Sequence, residues 1–206
     1  MKTLKVIKIG GNIINNEDSL LTFLKGFSSL KGPKILVHGG GKLASDLSNK
    51  LNIPVQLIDG RRVTNAETLD IITMVYAGKI NKNIVAKLQS FGCNSVGFSG
   101  ADGNTIIANK RSETPINYGF AGDVVKVNIE VPKSLLNNNI ANIFSAISHD
   151  EKGQLLNTNA DTIASELAIA FSKNYKVELY YCFEKKGVLQ SINDENSVIK
   201  KINNKT

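Results

Sequence analysis

Lys8 lies two residues ahead of a glycine pair, Gly10-Gly11, inside an otherwise apolar run from Leu4 to Ile9. An ammonium group in that position has two readings. On an edge strand it points to water; at a strand's carboxyl end beside a glycine turn it neutralises a transferring phosphoryl group. A second turn, Gly39-Gly40-Gly41, follows the apolar run Lys34–Val37. Glycine lets the backbone approach an anion closely, and the amides that open the following helix favour negative charge. Neither turn is a G-x-G-x-x-G fingerprint or a Walker loop, since Gly41-Lys42 is followed by Leu43. A tight strand-to-helix turn without a ligand explains either one taken alone.

Arg61-Arg62 follows the turn pair Asp59-Gly60. Such arginines are either exposed loop residues or forks that hold a carboxylate through two parallel hydrogen bonds. In the run Leu156-Asn157-Thr158-Asn159-Ala160-Asp161, Asn159 is a natural helix cap. Asp161 falls in the first turn, where the helix dipole favours a carboxylate. The functional reading of the same run has Asn157 hydrogen-bonding a polar ligand and Asp161 holding catalytic lysines by charge pairing. His38 and His149 have no Ser or Cys partner in a recognisable motif and receive no catalytic role. No metal site is assigned.

The elements that must place these residues follow from periodicity and punctuation. Strands are expected at Leu4–Ile9, Lys34–Val37, Asn94–Phe98, Ile140–Ser145 and Val177–Phe183. Helices are expected over Glu17–Leu30, about Lys42–Leu51, Pro132–Asn138 and Ala160–Phe171, the last capped by Asn159. Thr64-Asn65-Ala66-Glu67 reads as a capping box that opens one long helix to about Phe91, with Leu69, Ile72, Val75 and Tyr76 on one face. The Asp59-Gly60 pair punctuates a hairpin, Thr105–Ala108 with Phe120–Glu130 suggests antiparallel hairpins, and Gln154–Leu156 is a hairpin arm. Strands alternating with helices imply an α/β, three-layer sandwich with a mainly parallel central sheet. Ligands of such sheets gather at the carboxyl ends of the strands, so both glycine turns would face one crevice.

Bulk properties narrow the function classes. A chain of 206 residues, 42% hydrophobic and 21% charged, suffices for one sizeable core or two small lobes sharing a sheet. The charge of +7 and pI near 9.3 come from scattered lysines without interleaved aromatics, so no nucleic-acid partner is expected. Positive charge still attracts an anionic nucleotide. No apolar run approaches a membrane span, and Lys2, Lys5 and Lys8 interrupt any signal-like start. A cytoplasmic protein is expected, with no membrane partner. Cys93 and Cys182 sit in apolar surroundings and are expected to be buried, reduced thiols.

Five runs together resemble the amino acid kinase family, within it the branch that acts on N-acetyl-L-glutamate. They are Ile7-Lys8-Ile9-Gly10-Gly11, Val37-His38-Gly39-Gly40-Gly41, Asp59-Gly60-Arg61-Arg62-Val63-Thr64, Gly78-Lys79-Ile80-Asn81-Lys82 and Leu156–Asp161. They stand in the family's order over nearly the whole chain. The resemblance implies a carbamate kinase-like fold and ATP-dependent phosphorylation of the γ-carboxylate of N-acetyl-L-glutamate, giving N-acetylglutamyl 5-phosphate for arginine biosynthesis. It implies that Lys8 stabilises the transferring phosphoryl group and Asp161 orients Lys8. Gly11 would contact nucleotide phosphate, while Gly40, Gly41, Arg62 and Asn157 hold the acyl-glutamate. ATP would bring Mg²⁺ bound through its phosphates. The expected layout is a single domain over 1–206, with an acyl-glutamate-binding lobe over about 1–172 and an incomplete nucleotide-binding lobe over about 173–206.

The family's adenine-side loop corresponds to Phe183-Glu184-Lys185-Lys186-Gly187-Val188-Leu189, where many relatives carry an Asp. Family members also continue past this chain's last residue, through a Gly-Met-Ile-(Pro)-Lys-type motif with a second phosphate-stabilising lysine. The expectation on that ground is impaired turnover. With few residues before Lys8, the extra helix that builds an arginine-sensitive hexamer in some relatives has no room, and a homodimer is expected. The alternatives are an N-succinylglutamate kinase and a non-catalytic acyl-glutamate-binding remnant.

Overall fold

In chain order, β1 (Thr3–Ile9) runs into a short helix, α1 (Gly11–Asn15), and then α2 (Glu17–Ser29). Asn16 caps α2 by accepting from the Ser19 amide at 2.8 Å. Strand β2 (Lys34–His38) is buried along its length and leads to α3 (Gly41–Lys50); β3 (Leu57–Ile58) and β4 (Arg61–Arg62) form a small antiparallel hairpin. Helix α4 (Ala66–Thr73), a π-helical turn (Met74–Ile80) and α5 (Asn81–Ser90) follow as one rod. Then come β5 (Ser95–Phe98), the antiparallel pair β6 (Ile106–Lys110) and β7 (Gly122–Val127), α6 (Glu130–Asn137) and β8 (Ala141–Ser145). The pair β9 (Ile147–His149) and β10 (Leu155–Asn157), α7 (Ala160–Phe171) and β11 (Lys176–Cys182) complete the order. The computed structural model describes residues 1–183, 185–191 and 193–201. Glu184 of the adenine-side loop and the end of the expected nucleotide lobe, 202–206, therefore lie outside the described residues.

The central sheet has five strands in the order β11-β1-β2-β8-β5, all parallel. Side chains alternate across it. Ile7 and the paired Tyr180 face α2, whereas Lys8 and the paired Tyr181 face the start of α7. Helices thus cover both faces, and a mainly parallel α/β sandwich is what the structure shows. Its core is built from Leu4, Val6, Leu36, Ile143 and Leu167, with the Phe98 and Phe144 rings stacked at 4.9 Å. A second sheet, β10-β9-β6-β7, and the β3–β4 hairpin stand over the carboxyl ends of β1 and β2. Among the described residues one lysine is buried: Lys34 Nζ donates to the carbonyls of Phe27, Ser28 and Leu30 at 2.8–2.9 Å. These are the orphan acceptors at the end of α2.

Three local expectations are corrected. Thr64 is not the cap of α4; Asn65 is, accepting from the Thr68 amide at 2.9 Å. Thr64 is fully buried, and its amide and carbonyl are bonded to Tyr118 and Phe120, so it is held as part of a ladder. The long helix is not regular either, because the π turn inserts extra length where Tyr76 and Ile80 pack beneath Gly40. Strand β9 was not expected at all. Cys93 is buried as expected, but Cys182 is only half-buried on the edge strand β11. Helix α1 was not expected either; the other elements lie within a few residues of their expected bounds.

Candidate active site

The Lys8 side chain emerges near the carboxyl end of β1, on the face covered by α7. Its Nζ lies 2.9 Å from Asp161 Oδ1, with the two side chains 18% and 52% exposed. Asp161 owes its place to Asn159, whose Oδ1 accepts from the Asp161 amide at 2.7 Å and the Thr162 amide at 3.2 Å. The cap and the ion pair share one turn: the cap starts the helix, and the helix start aims the carboxylate at the lysine. Tyr181 adds a donor from its hydroxyl to the Asp161 carbonyl at 3.3 Å. The pair fixes the direction of the ammonium group and leaves part of the lysine exposed on the cleft.

The second glycine turn is shaped from beneath. Gly40 has φ +157°, and a Cβ there would overlap Ile80 Cδ1 and come within 3.0 Å of the Tyr76 ring. Only glycine fits. His38, the last residue of β2, is fully buried; burial pulls its pKa down to about 4, with its bond to the Gly39 carbonyl opposing. The neutral ring donates from Nδ1 to Gly39 O at 2.9 Å and accepts from Asn81 Nδ2 at Nε2, 3.0 Å away. Asn81 Nδ2 also donates to the Ile143 carbonyl of β8 at 2.8 Å. His38 and Asn81 thus bolt the turn to the sheet without entering the chemistry.

Arg62 is 9% exposed. Its Nη2 donates to Gly41 O at 2.9 Å and to Ser45 Oγ at 2.7 Å. Its Nη1 is buried with no hydrogen-bond partner among the described residues. Tyr76 stands beside it: burial pushes the phenol pKa up, and the guanidinium pulls the other way. Asn157 reaches the same region through Thr64, donating from Nδ2 to Thr64 Oγ1 at 3.0 Å, while Thr64 Oγ1 donates to Arg62 O at 3.1 Å.

All of the expected site residues, Lys8, Gly11, Gly40, Gly41, Arg62, Asn157 and Asp161, line one cleft of about 280 Å³ at the carboxyl ends of β1 and β2. His149 is not part of its lining. Two further cations share the wall, Arg61 and Arg111, and Arg111 had no signal in the sequence that set it apart from other loop arginines. Tyr76, Ala121 and Gly122 also line it and were likewise not singled out as site residues. Lys8, Arg61, Arg62 and Arg111 outnumber Asp161, so the cleft suits anionic ligands that carry more than one charge.

The amino acid kinase family matches residues 3–206. This chain belongs to that family. A relative named acetylglutamate kinase, from Cytophaga hutchinsonii, is 54% identical over 204 residues, covering 98% of this chain and 77% of the relative. Among solved structures, the smu.665 protein of Streptococcus mutans superimposes with a TM-score of 0.78 at 27% identity, over 90% of this chain and 74% of that one. The carbamate kinase of Giardia matches with a TM-score of 0.62 at 13% identity, over 93% of this chain and 76% of that one, a likeness of fold alone. The amino acid kinase fold accounts for the overall arrangement of sheet and helices. No helix among the described residues of this family member is long and apolar enough to cross a membrane.

Proposed function

We propose that this amino acid kinase transfers the γ-phosphoryl group of ATP to the γ-carboxylate of N-acetyl-L-glutamate, in the cytoplasm, giving N-acetylglutamyl 5-phosphate for arginine biosynthesis. The observation that carries this reading is the sharing of one cleft by the Lys8–Asp161 pair and the Arg62 fork. One faces the reacting phosphate, the other the acceptor. In this reading Arg62, Asn157, Gly40 and Gly41, which all line the cleft, hold the acyl-glutamate, with the guanidinium supplying the charge that a carboxylate needs. Gly11, at the opening of α1, contributes a backbone amide to nucleotide phosphate.

The chemistry asks for position and charge more than for covalent help. A carboxylate is ionised at pH 7 and needs no general base. One of its oxygens bonds to the γ-phosphorus as the bond to the β,γ-bridging oxygen breaks, and ADP leaves with that electron pair. Lys8 meets the negative charge on the transferring oxygens, held in line by Asp161. Mg²⁺ would come with ATP, carried on its phosphates. A homodimer built through the long helix after Arg62 is part of the same proposal; Met74 on that rod is exposed.

ADP release coupled to a spectrophotometric readout, with and without N-acetyl-L-glutamate, tests the reaction. Acceptor-dependent release, and trapping of the acyl phosphate by hydroxylamine, are the expected results. Release that ignores the acceptor sinks the reading. Light scattering tests the dimer.

A further inference from the structure

Tyr76 has no task in that reaction, yet it belongs to the cleft. The residue is 6% exposed, and it lines the cleft together with Gly40, Gly41 and Arg62. The π turn Met74–Ile80 carries it there, and such turns recur at functional sites. Its ring supports the second glycine turn: a Cβ on Gly40 would come within 3.0–3.1 Å of two ring carbons. The hydroxyl reaches further. A Cβ on Gly41 would lie 3.8 Å from it and 3.9 Å from Arg62 Nη2, so phenol and guanidinium converge on the first residue of α3.

The proton of that hydroxyl is available. Its polar neighbour is the Arg62 guanidinium, which carries donors only, so it can give to the phenol oxygen but takes nothing from it. No acceptor among the described residues is bonded to the proton. Burial raises the phenol pKa, with Arg62 opposing, so the group stays protonated at neutral pH. A ring without the hydroxyl would support Gly40 equally well, and burying a donor that has no acceptor is unfavourable. Packing therefore explains the ring and leaves the hydroxyl unexplained, whereas an anion held beside Arg62 explains both. Of the two carboxylates of an acyl-glutamate, the attacking one needs its lone pair, so the donor serves the other.

We propose that Tyr76 is a substrate-binding residue whose hydroxyl donates to the α-carboxylate of the acyl-glutamate beside Arg62, and so selects acceptors that carry that charge. This rests on the acyl-glutamate reading above. Calorimetry of the 206-residue chain and of Tyr76→Phe, with N-acetyl-L-glutamate and with its α-carboxamide, tests it alongside the ADP assay. Tyr76→Phe lowers the affinity for the free acid by about 10- to 100-fold, the range of a lost bond to a charged group. It lowers the affinity for the α-carboxamide much less, and leaves ATP affinity and the melting temperature unchanged. Equal losses for both compounds, or no loss for either, overturn the proposal. The chain has no Trp, and Tyr76 is the one tyrosine among the described residues that line the cleft. A red shift of tyrosine absorption when N-acetyl-L-glutamate saturates the wild-type chain therefore reports the same bond, and serves if the variant does not fold; an unmoved spectrum overturns the proposal. Binding without turnover defeats the kinase reading instead, and the affinities still judge Tyr76. A wild-type chain that binds neither compound overturns both.

Discussion

At the scale of single residues, the site separates into groups that act on phosphate and groups that act on the acceptor, and substitution should divide them the same way. Lys8→Ala is expected to lower kcat by about 10²–10³-fold, as loss of a preorganised charge at the reacting centre does, with little change in KM for acyl-glutamate. Arg62→Gln is expected to raise that KM by about 10- to 100-fold. Arg62→Lys should not restore it, since an ammonium group lacks the planar fork; steady-state kinetics with acyl-glutamate as varied substrate separates the two. His38 makes a different prediction. Its pKa falls to about 4 on folding, against about 6.5 in the unfolded chain. Between those values the unfolded chain binds a proton that the folded chain refuses. The stability from the neutral ring is therefore complete above pH 6.5 and is lost as pH falls toward 4, by about 3 kcal/mol. Urea midpoints at pH 7 and 4.5 should show that loss, and His38→Gln should show a smaller one. Lys8 and Arg62 were legible because a charge in an apolar run, or beside a turn, is conspicuous. His38 and Asn81 were not, because their roles come from each other across the fold: the Asn81 amide spans 43 positions to reach His38.

Elements convert these residues into geometry, and two junctions carry most of the precision. Helix α7 begins where Asn159 caps it, and the same turn aims Asp161 at Lys8. Asn159→Ala is expected to lower stability by about 1 kcal/mol and also to lower kcat, because the carboxylate loses its fixed start. A melting curve together with kcat checks both; a variant less stable but equally fast would separate the cap from the chemistry. The other junction is Gly40 over the π turn. Gly40→Ala would force a Cβ onto Ile80 and keep a backbone angle that L-residues rarely adopt. Destabilisation of about 1–3 kcal/mol is expected, with loss of acyl-glutamate binding by calorimetry. Periodicity was enough to find α7 and its cap, since both are local. It could not find β9, a run of three residues too short to show an alternation, nor the π turn, which sits where Tyr76 and Ile80 pack against a glycine turn on a different element. Thr64 was misread for the same reason. Its capping potential is real in isolation and is overridden by the ladder bonds to Tyr118 and Phe120.

For the whole molecule, the parallel sheet sends β1 and β2 to end on one rim, and the second sheet closes over that rim, so four cations from distant parts of the chain converge on one cleft. The chain as a whole carries +7, and the question is whether global or local charge draws in the anionic substrates. Screening decides it. At about 0.15 M salt a charge is felt over about 8 Å. Lys50 closes α3, whereas the first residue of that helix lines the cleft, so about 14 Å of helix rise separates the two. Arg61 lies on the cleft wall itself. Arg61→Gln and Lys50→Gln remove the same charge from the molecule, yet only the first should lower kcat/KM for ATP and acyl-glutamate, by several-fold at low ionic strength, and flatten the dependence on salt. Comparing both variants from about 0.02 to 0.5 M potassium chloride makes the distinction, because a Debye length of about 20 Å at the lower end lets even Lys50 contribute. Equal losses for both variants at 0.15 M would mean that net charge, not the convergence built by the sheet, attracts the substrates.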